Sequence, residues 1–316
     1  MAEGGGQRDP LADLQRIAYL LERAHEATPR VKAFRTAASI VEEMPAEELA
    51  SRATKNTLTD LAGIGDTTST VIRESLAGKV PAYLEKLEAA LPKAKNPGRM
   101  QAALKGDLHM HSNWSDGGSP IEEMVTAARD LGHEYVALTD HSPRLTVARG
   151  LTAERLREQL AIVKALNKKM APFRILTGIE VDILEDGSLD QEEELLAELD
   201  VVVASVHSKL RMDAKQMTER MVIAVANPNT DILGHCTGRL LSGRGRPESE
   251  FDAEMVFEAC KQFGTAVEIN SRPERLDPPR RLLALAEEIG CMFSIDTDSH
   301  APGQLEWQVN GCERAE

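Results

Sequence analysis

Apolar positions in the first ninety residues recur every three or four places: Leu11, Leu14, Ile17, Ala18 and Leu21, then Val31, Phe34, Ala37, Ala38 and Val41. That spacing puts one apolar stripe on each of several amphipathic helices and predicts an all-α module over residues 1–90. Residues 91–105 carry two prolines, a glycine and four basic side chains and break the period, so a linker is expected at 91–104. From residue 105 to 316 the pattern changes to short β-branched runs alternating with longer amphipathic stretches, the signature of repeated βα units. Strands are predicted at 105–109, 134–139, 173–180, 200–206, 231–235, 264–270 and 291–296, and helices at 120–132, 152–169, 213–226, 252–263 and 279–289. Seven strands in about 210 residues suggest a closed or nearly closed parallel barrel. An open doubly wound sheet would show the same alternation.

The histidines add chemistry to this outline. Of eight, six (His109, His111, His141, His207, His235 and His300) fall at or just after the C-terminal ends of predicted strands, where the loops of a βα barrel converge. Asp116, Glu180 and Asp298 stand at the same rim. A single histidine at a strand end is more often a hydrogen-bonded structural residue; recurrence after strand upon strand points instead to a metal cluster. Mixed imidazole and carboxylate shells suit zinc, manganese or iron. His25 and His133 fall on predicted helices or their ends and are read as surface or packing residues. The four cysteines are spaced 24, 31 and 21 apart with no Cys-x-x-Cys, so they are expected to be reduced and mostly in the core.

Charge narrows the partners. The chain holds 37 basic and 51 acidic side chains, a net charge of −14. Residues 1–98 are near neutral, with 13 basic and 14 acidic groups, so the excess sits in the barrel. Such a balance excludes a charge-driven nucleic-acid coat or a binder of anionic membranes. No apolar run reaches the length of a membrane span and the first ten residues lack a signal core, so a cytoplasmic protein is expected.

The ordered motifs Gly-Asp-Leu-His-Met-His-Ser-Asn-Trp-Ser-Asp-Gly (106–117), Leu-Thr-Asp-His (138–141), Gly-Ile-Glu (178–180), Ser-Val-His-Ser (205–208), Gly-His-Cys-Thr-Gly-Arg (234–239) and Asp-Thr-Asp-Ser-His (296–300) resemble the motif set of the PHP (polymerase and histidinol phosphatase) superfamily. Gly-Arg-Leu-Leu-Ser-Gly-Arg (238–244) and Glu-Ile-Asn-Ser-Arg-Pro-Glu-Arg-Leu-Asp (268–277) are most similar to the version in bacterial family X DNA polymerases. The resemblance implies a distorted seven-stranded barrel holding three divalent ions. It assigns His109, His111, Glu180 and Asp298 to the first, Asp116, His141 and His300 to the second, and Glu180 (bridging), His207 and His235 to the third. Three carboxylates against three divalent ions leave the pocket at +3 inside an acidic barrel. No separate catalytic side chain is expected beside a metal-bound hydroxide. Arg239, Arg244, Arg272 and Arg275 are candidates for binding a substrate phosphate, or equally for salt bridges to nearby carboxylates. Trp114 either stacks on a base or sugar or packs over the barrel top. Family members continue further after the last motif, so a flank of the barrel is expected to be left uncovered here.

In the α module, Leu58-Thr59-Asp60-Leu61-Ala62-Gly63-Ile64-Gly65-Asp66-Thr67-Thr68 reads as helix, tight turn, helix. Glycines permit close backbone approach, and helix N-terminal amides can hold a phosphate without reading sequence. Gly63, Gly65, Thr67 and Thr68 are the candidate DNA contacts. With Pro-Arg-Val-Lys-Ala-Phe-Arg-Thr-Ala-Ala-Ser-Ile-Val (29–41) and Leu-Ala-Gly-Lys (76–79), the segment resembles the N-terminal helix-hairpin-helix domain of family X polymerases. Thr67 and Val71 stand where that resemblance would place the Schiff-base lysines, so no 5′-deoxyribose phosphate lyase activity is expected; a borohydride-trapped covalent DNA adduct would overturn this. Asp66 after the turn opposes a phosphate, so DNA binding is expected to be weak and without sequence preference. The linker leads directly into the barrel with no segment for a polymerase palm, and no polymerisation is expected.

Together these readings describe an α/β protein, a seven-stranded (β/α) PHP barrel preceded by a small all-α helix-hairpin-helix domain. The expected activity is metal-dependent phosphate-ester hydrolysis at DNA 3′ ends, as a 3′-5′ exonuclease or 3′-phosphatase. A small-molecule phosphatase of the histidinol-phosphate type would use the same ligands, and a non-catalytic DNA-binding or scaffold protein is the third alternative.

Overall fold

The computed structural model describes residues 8–91 and 98–316. The chain divides into two compact units, parting at residue 96. Residues 92–97 of the expected linker lie outside the described residues, while Arg99–Ala103 within it forms a short helix.

The first unit is built of α1 (Pro10–Arg23), α2 (Thr28–Glu43), α3 (Ala46–Lys55), α4 (Asp66–Leu76) and α5 (Ala82–Ala90). Asp9 caps α1 by accepting the Leu11 N–H at 2.9 Å, and Pro10 occupies the first turn, where a missing N–H costs nothing. The apolar stripe of α1 (Leu14, Ile17, Leu21) buries against Phe34, Ala37 and Val41 of α2 and against Val71 and Ile72 of α4. The buried Glu22 takes a 2.6 Å hydrogen bond from Arg35, tying α1 to α2 by a charged pair as well. The helix expected to start at Leu58 is only a single 3-10 turn, Leu58–Asp60; α3 is the first helix of the hairpin and α4 the second. Gly63, at φ +102°, lets this turn lie on α2: a Cβ there would sit 2.7 Å from Thr36 Cγ2.

The second unit runs α6 (Arg99–Ala103), β1 (Gly106–Met110), α7 (Ile121–Asp130), β2 (Tyr135–Leu138), α8 (Ala153–Met170), β3 (Arg174–Asp182), α9 (Glu193–Leu196), β4 (Val201–Ser205), α10 (Ala214–Val225), β5 (Ile232–Leu233), α11 (Ala253–Phe263), β6 (Ala266–Asn270), α12 (Arg280–Ile289), β7 (Phe293–Asp296) and α13 (Gln308–Ala315). The strands pair in parallel in sequence order, so the barrel reading holds and the open doubly wound order does not. Alternation along β4 shows why: Val202 and Ala204 join the outer core under the helices, whereas Val201 and Val203 join Ala137 and Ile232 in a cluster made only of strand residues.

Closure between β7 and β1 is unusual. Among the described residues the backbone ladder there shrinks to one bridge, Met110 with Ser299, in which His111 N–H donates to Ser299 O at 2.8 Å. Side chains supply the rest. Asp296 Oδ1 accepts the Leu108 N–H at 2.8 Å, Asp107 accepts from the Thr297 N–H and hydroxyl, and Gln308 Nε2 donates to Gly106 O at 2.8 Å and Ile295 O at 2.9 Å.

Part of the flank expected to be bare is covered. A 3-10 segment (Pro302–Trp307) leads into α13, whose Cys312 packs with Ile269 and Ile295. All four cysteines are free, three of them buried. No helix among the described residues is long and apolar enough to cross a membrane.

Gly63→Ala is expected to destabilise the first unit by about 1–3 kcal/mol, because it adds both a left-handed backbone and a clash. Gly65→Ala, extended and with nothing within 4 Å of the new Cβ, should cost less than about 1 kcal/mol. Urea melts followed by circular dichroism distinguish the two.

Candidate metal centre

The parallel register brings the ends of all seven strands to one rim. β1 delivers His109 and, one residue past its end, His111; both are fully buried. β3 delivers Glu180, 1% exposed, into the middle of the rim. Its Oε2 lies 3.3 Å from His109 Nε2, 3.4 Å from His111 Nε2 and 2.9 Å from His141 Nδ1. Its Oε1 lies 3.2 Å from His207 Nε2 and 2.8 Å from His235 Nε2. Asp298 stands 3.5 Å from His111 Nε2, and Asp116 stands 3.5 Å from His141 Nε2 and 3.2 Å from His300 Nε2. All nine candidate ligands thus form one connected constellation. Three groups within it are tight enough to share an ion: His111, Asp116, His141 and His300; His109, His111 and Glu180; and His141, Glu180 and His207.

Most of these contacts are not hydrogen bonds. Glu180 Oε2, His109 Nε2, His141 Nδ1 and both ring nitrogens of His111 are buried without a hydrogen-bond partner. Burying polar atoms in this way is costly unless something binds them. Nitrogens and oxygens that converge at contact distance without donor geometry are arranged as ligands of a cation are, so the donor set fits divalent ions.

The electrostatics divide: burial is outweighed at His109 by the charges of Glu268 and Glu180, which raise it, and at His207 by that of Glu180, which does the same, whereas His111 and the candidate carboxylates are held in the forms that bind a cation. Burial, followed by the neighbouring His300 and His141, holds His111 well below the ordinary imidazole range, in the neutral form that a metal ligand needs. Burial works against ionising Glu180 and Asp298, yet the surrounding imidazoles in one case and Arg272 in the other outweigh it and hold both carboxyls low. Asp296, equally buried two residues before Asp298, goes the other way. Burial, followed by the charges of Asp107 and Glu268, pushes it up to about 8.

A surrounding layer of carboxylates and amides was not singled out by the sequence. Glu268 Oε1 lies 2.5 Å from His109 Nδ1, and its Oε2 accepts the His235 N–H at 2.5 Å. Asn270 reaches both Glu268 and Asp298. Asp182 accepts the His207 N–H at 3.1 Å and lies 3.3 Å from His207 Nδ1. These groups fix ring orientation and tautomer, as partners of metal-bound histidines do. The available signal was position: Glu180 and Asp182, like Glu268 and Asn270, are two apart on one strand and so share its inner face.

The arginines divide. Arg272 and Arg275 lie on Asp298, at 3.3 and 3.2 Å. Arg239 donates to the carbonyls of Arg275 and Leu276 and stands 3.6 Å from Glu248, so its guanidinium braces a loop. Arg244 is exposed. Trp114 packs against two of the barrel's apolar clusters, with Arg155 over its ring at 5.8 Å. His25 is exposed and His133 half-buried. In the first unit, Gly63, Gly65 and Thr67 are exposed at the turn and at the start of α4. The Thr68 hydroxyl is buried and spent on Gly65, accepting its N–H at 3.0 Å and donating to its carbonyl at 3.1 Å, which makes it a cap rather than an outward contact.

Residues 107–272 match the PHP domain family and residues 6–80 match a helix-hairpin-helix domain. The chain is 46% identical over 212 residues to the DNA polymerase/3′-5′ exonuclease PolX of Bacillus subtilis, a match covering 67% of this chain and 37% of that protein. Proteins named probable phosphatase from Caldanaerobacter subterraneus and a Thermoanaerobacter species are 28% and 31% identical, over 64% and 61% of this chain and 79% and 78% of theirs. The strand-end histidines, the central glutamate and these matches together place the barrel: the chain belongs to the PHP domain family.

Proposed function

We propose that the chain is a metal-dependent phosphoesterase that processes DNA 3′ ends. The observation that carries the hydrolytic part is Glu180, a buried carboxylate facing five imidazoles with one oxygen unpaired. Three divalent ions, zinc, manganese or iron, would be held by His109, His111, Glu180 and Asp298; by Asp116, His141 and His300; and by Glu180, His207 and His235. When bound, such ions supply hydroxide near neutral pH and neutralise charge on a phosphate.

The chain's own residues do the positioning. Glu268 and Asp182 orient His109 and His207. Arg272 and Arg275 hold Asp298 in place and enrich the rim in positive charge. Asp116, with 36% of its side chain exposed, faces the side from which a substrate enters. Arg244, in the loop after β5, is free to meet a substrate phosphate. Support for DNA as substrate comes from the helix-hairpin-helix match and from the exonuclease named in the Bacillus relative. The relatives named as phosphatases support a small phosphomonoester instead.

Purified protein with manganese should degrade a labelled primer-template or dephosphorylate a 3′-phosphorylated oligonucleotide faster than it hydrolyses histidinol phosphate. Turnover of histidinol phosphate alone overturns the DNA reading, and no metal-dependent hydrolysis of any ester, including an aryl phosphate, overturns the enzyme reading. His111→Ala is expected to abolish whichever activity is found. Glu268→Gln keeps the shape but not the charge behind His109; its metal affinity should fall by about 10- to 100-fold, read by titration of the stripped protein.

A further inference from the structure

Asp116 differs from the other candidate ligands. It stands in a loop, residues 112–118, rather than at a strand end, and it is the most exposed of the nine. A carboxylate on a free loop would give up conformational entropy each time it bound an ion, a cost that holding the loop beforehand removes. The loop is fastened from α8 and from the segment that precedes it.

Arg155, on the first turn of α8, donates through Nη2 to Trp114 O and through Nη1 to Arg149 O at 2.7 Å and Gly150 O at 3.2 Å, while its guanidinium lies over the Trp114 ring. Arg149 in turn donates to Ser115 O and, at 3.4 Å, to Asn113 O. One turn further along the same face of α8, Gln159 donates at 2.6 Å to the buried Asp140, which also gathers the Ser112 N–H and the Ser112 and Ser115 hydroxyls. The segment to which Arg155 ties the loop is itself fixed to the metal rim. Leu151 N–H donates to His141 O at 2.7 Å, and Gly150 lies so close to Ser142 O that a Cβ would fall 1.7 Å from it. Neither arginine is paired with a carboxylate among the described residues, so both guanidinium groups are spent on main-chain carbonyls.

We propose that Arg155, with Arg149, is a positioning clamp that locks the Asp116 loop to the His141 segment and so sets the affinity for the ion held by Asp116, His141 and His300. The proposal rests on the metal-centre reading given above. A guanidinium fork reaches carbonyls in two segments at once, which a lysine ammonium on its single stem does not. The clamp touches neither substrate nor ion. It acts through the order of the loop.

The test uses the full chain, stripped with a chelator and titrated with manganese by calorimetry. Asp116→Asn identifies which binding step belongs to its ion. Arg155→Ala is expected to weaken that step alone by about 10- to 100-fold, with the remaining steps unchanged, and added guanidinium ion should restore part of the loss in Arg155→Ala but not in Asp116→Asn. Arg155→Lys should fall with Arg155→Ala. Unchanged affinity in folded Arg155→Ala, equal weakening of every step, or full affinity in Arg155→Lys overturns the clamp. If Arg155→Ala does not fold, Arg149→Ala, whose side chain is exposed, is read by the same criteria. Wild-type protein that takes up no ion overturns the metal centre itself, a different result from failure of the clamp.

Discussion

One buried carboxylate organises the barrel rim. Glu180 is held in the ionised form at a place where burial alone would neutralise it, and it is held there by imidazoles from β1 and from the loops after β2, β4 and β5. Each of those rings must then be aimed, which explains why further carboxylates lie behind them. Glu268 and Asp182 fix the rings, and Asn270 links Glu268 to Asp298. The barrel interior is therefore polar toward its C-terminal rim and apolar among Ala137, Val201, Val203 and Ile232. Burying this much charge costs stability; the outer helical layer, with its continuous apolar core, offsets it.

The contrast between Asp296 and Asp298 shows how local that balance is. The two residues are equally buried, two apart in sequence, and shifted in opposite directions. Asp298 meets arginines and imidazoles, whereas Asp296 meets Asp107 and Glu268. Asp296 is used structurally, accepting the Leu108 N–H across the seam. Proximity to a candidate ligand in sequence is thus no guide to the role of a carboxylate; the sign of its nearest charges is.

Much of this was legible in the sequence. The strands were visible because both their faces are buried, which leaves uninterrupted runs such as Val201-Val202-Val203. The candidate ligands stood out because imidazoles at strand ends have no ordinary packing reason to recur. Glu268 and Asp182 were missed because one carboxylate inside an apolar strand looks like any other until its neighbours across the sheet are known. Arg155 was missed for a related reason: on a helix it reads as a solvated surface residue, and its acceptors are carbonyls, which carry no sequence identity. The helix expected at Leu58 shrank to one turn because the glycines at 63 and 65 leave too few residues for a helix to propagate. The helix at 308–315 went unread because Gly311 interrupts a short segment of ordinary composition.

The side-chain seam between β7 and β1 carries a consequence for how the protein is made. His111 is tied to Ser299 across 188 residues, and Gln308 reaches back to Gly106 across 202. During synthesis the helical unit of residues 8–91, compact in its own right, can collapse before the barrel is made. The barrel has no such option, because its first strand waits for its last. A nascent chain stopped before Asp298 would expose a ring of histidines and a buried-type glutamate to water and to any stray cation in the cell, so the rim assembles only once the seventh strand and the loop after it have been made.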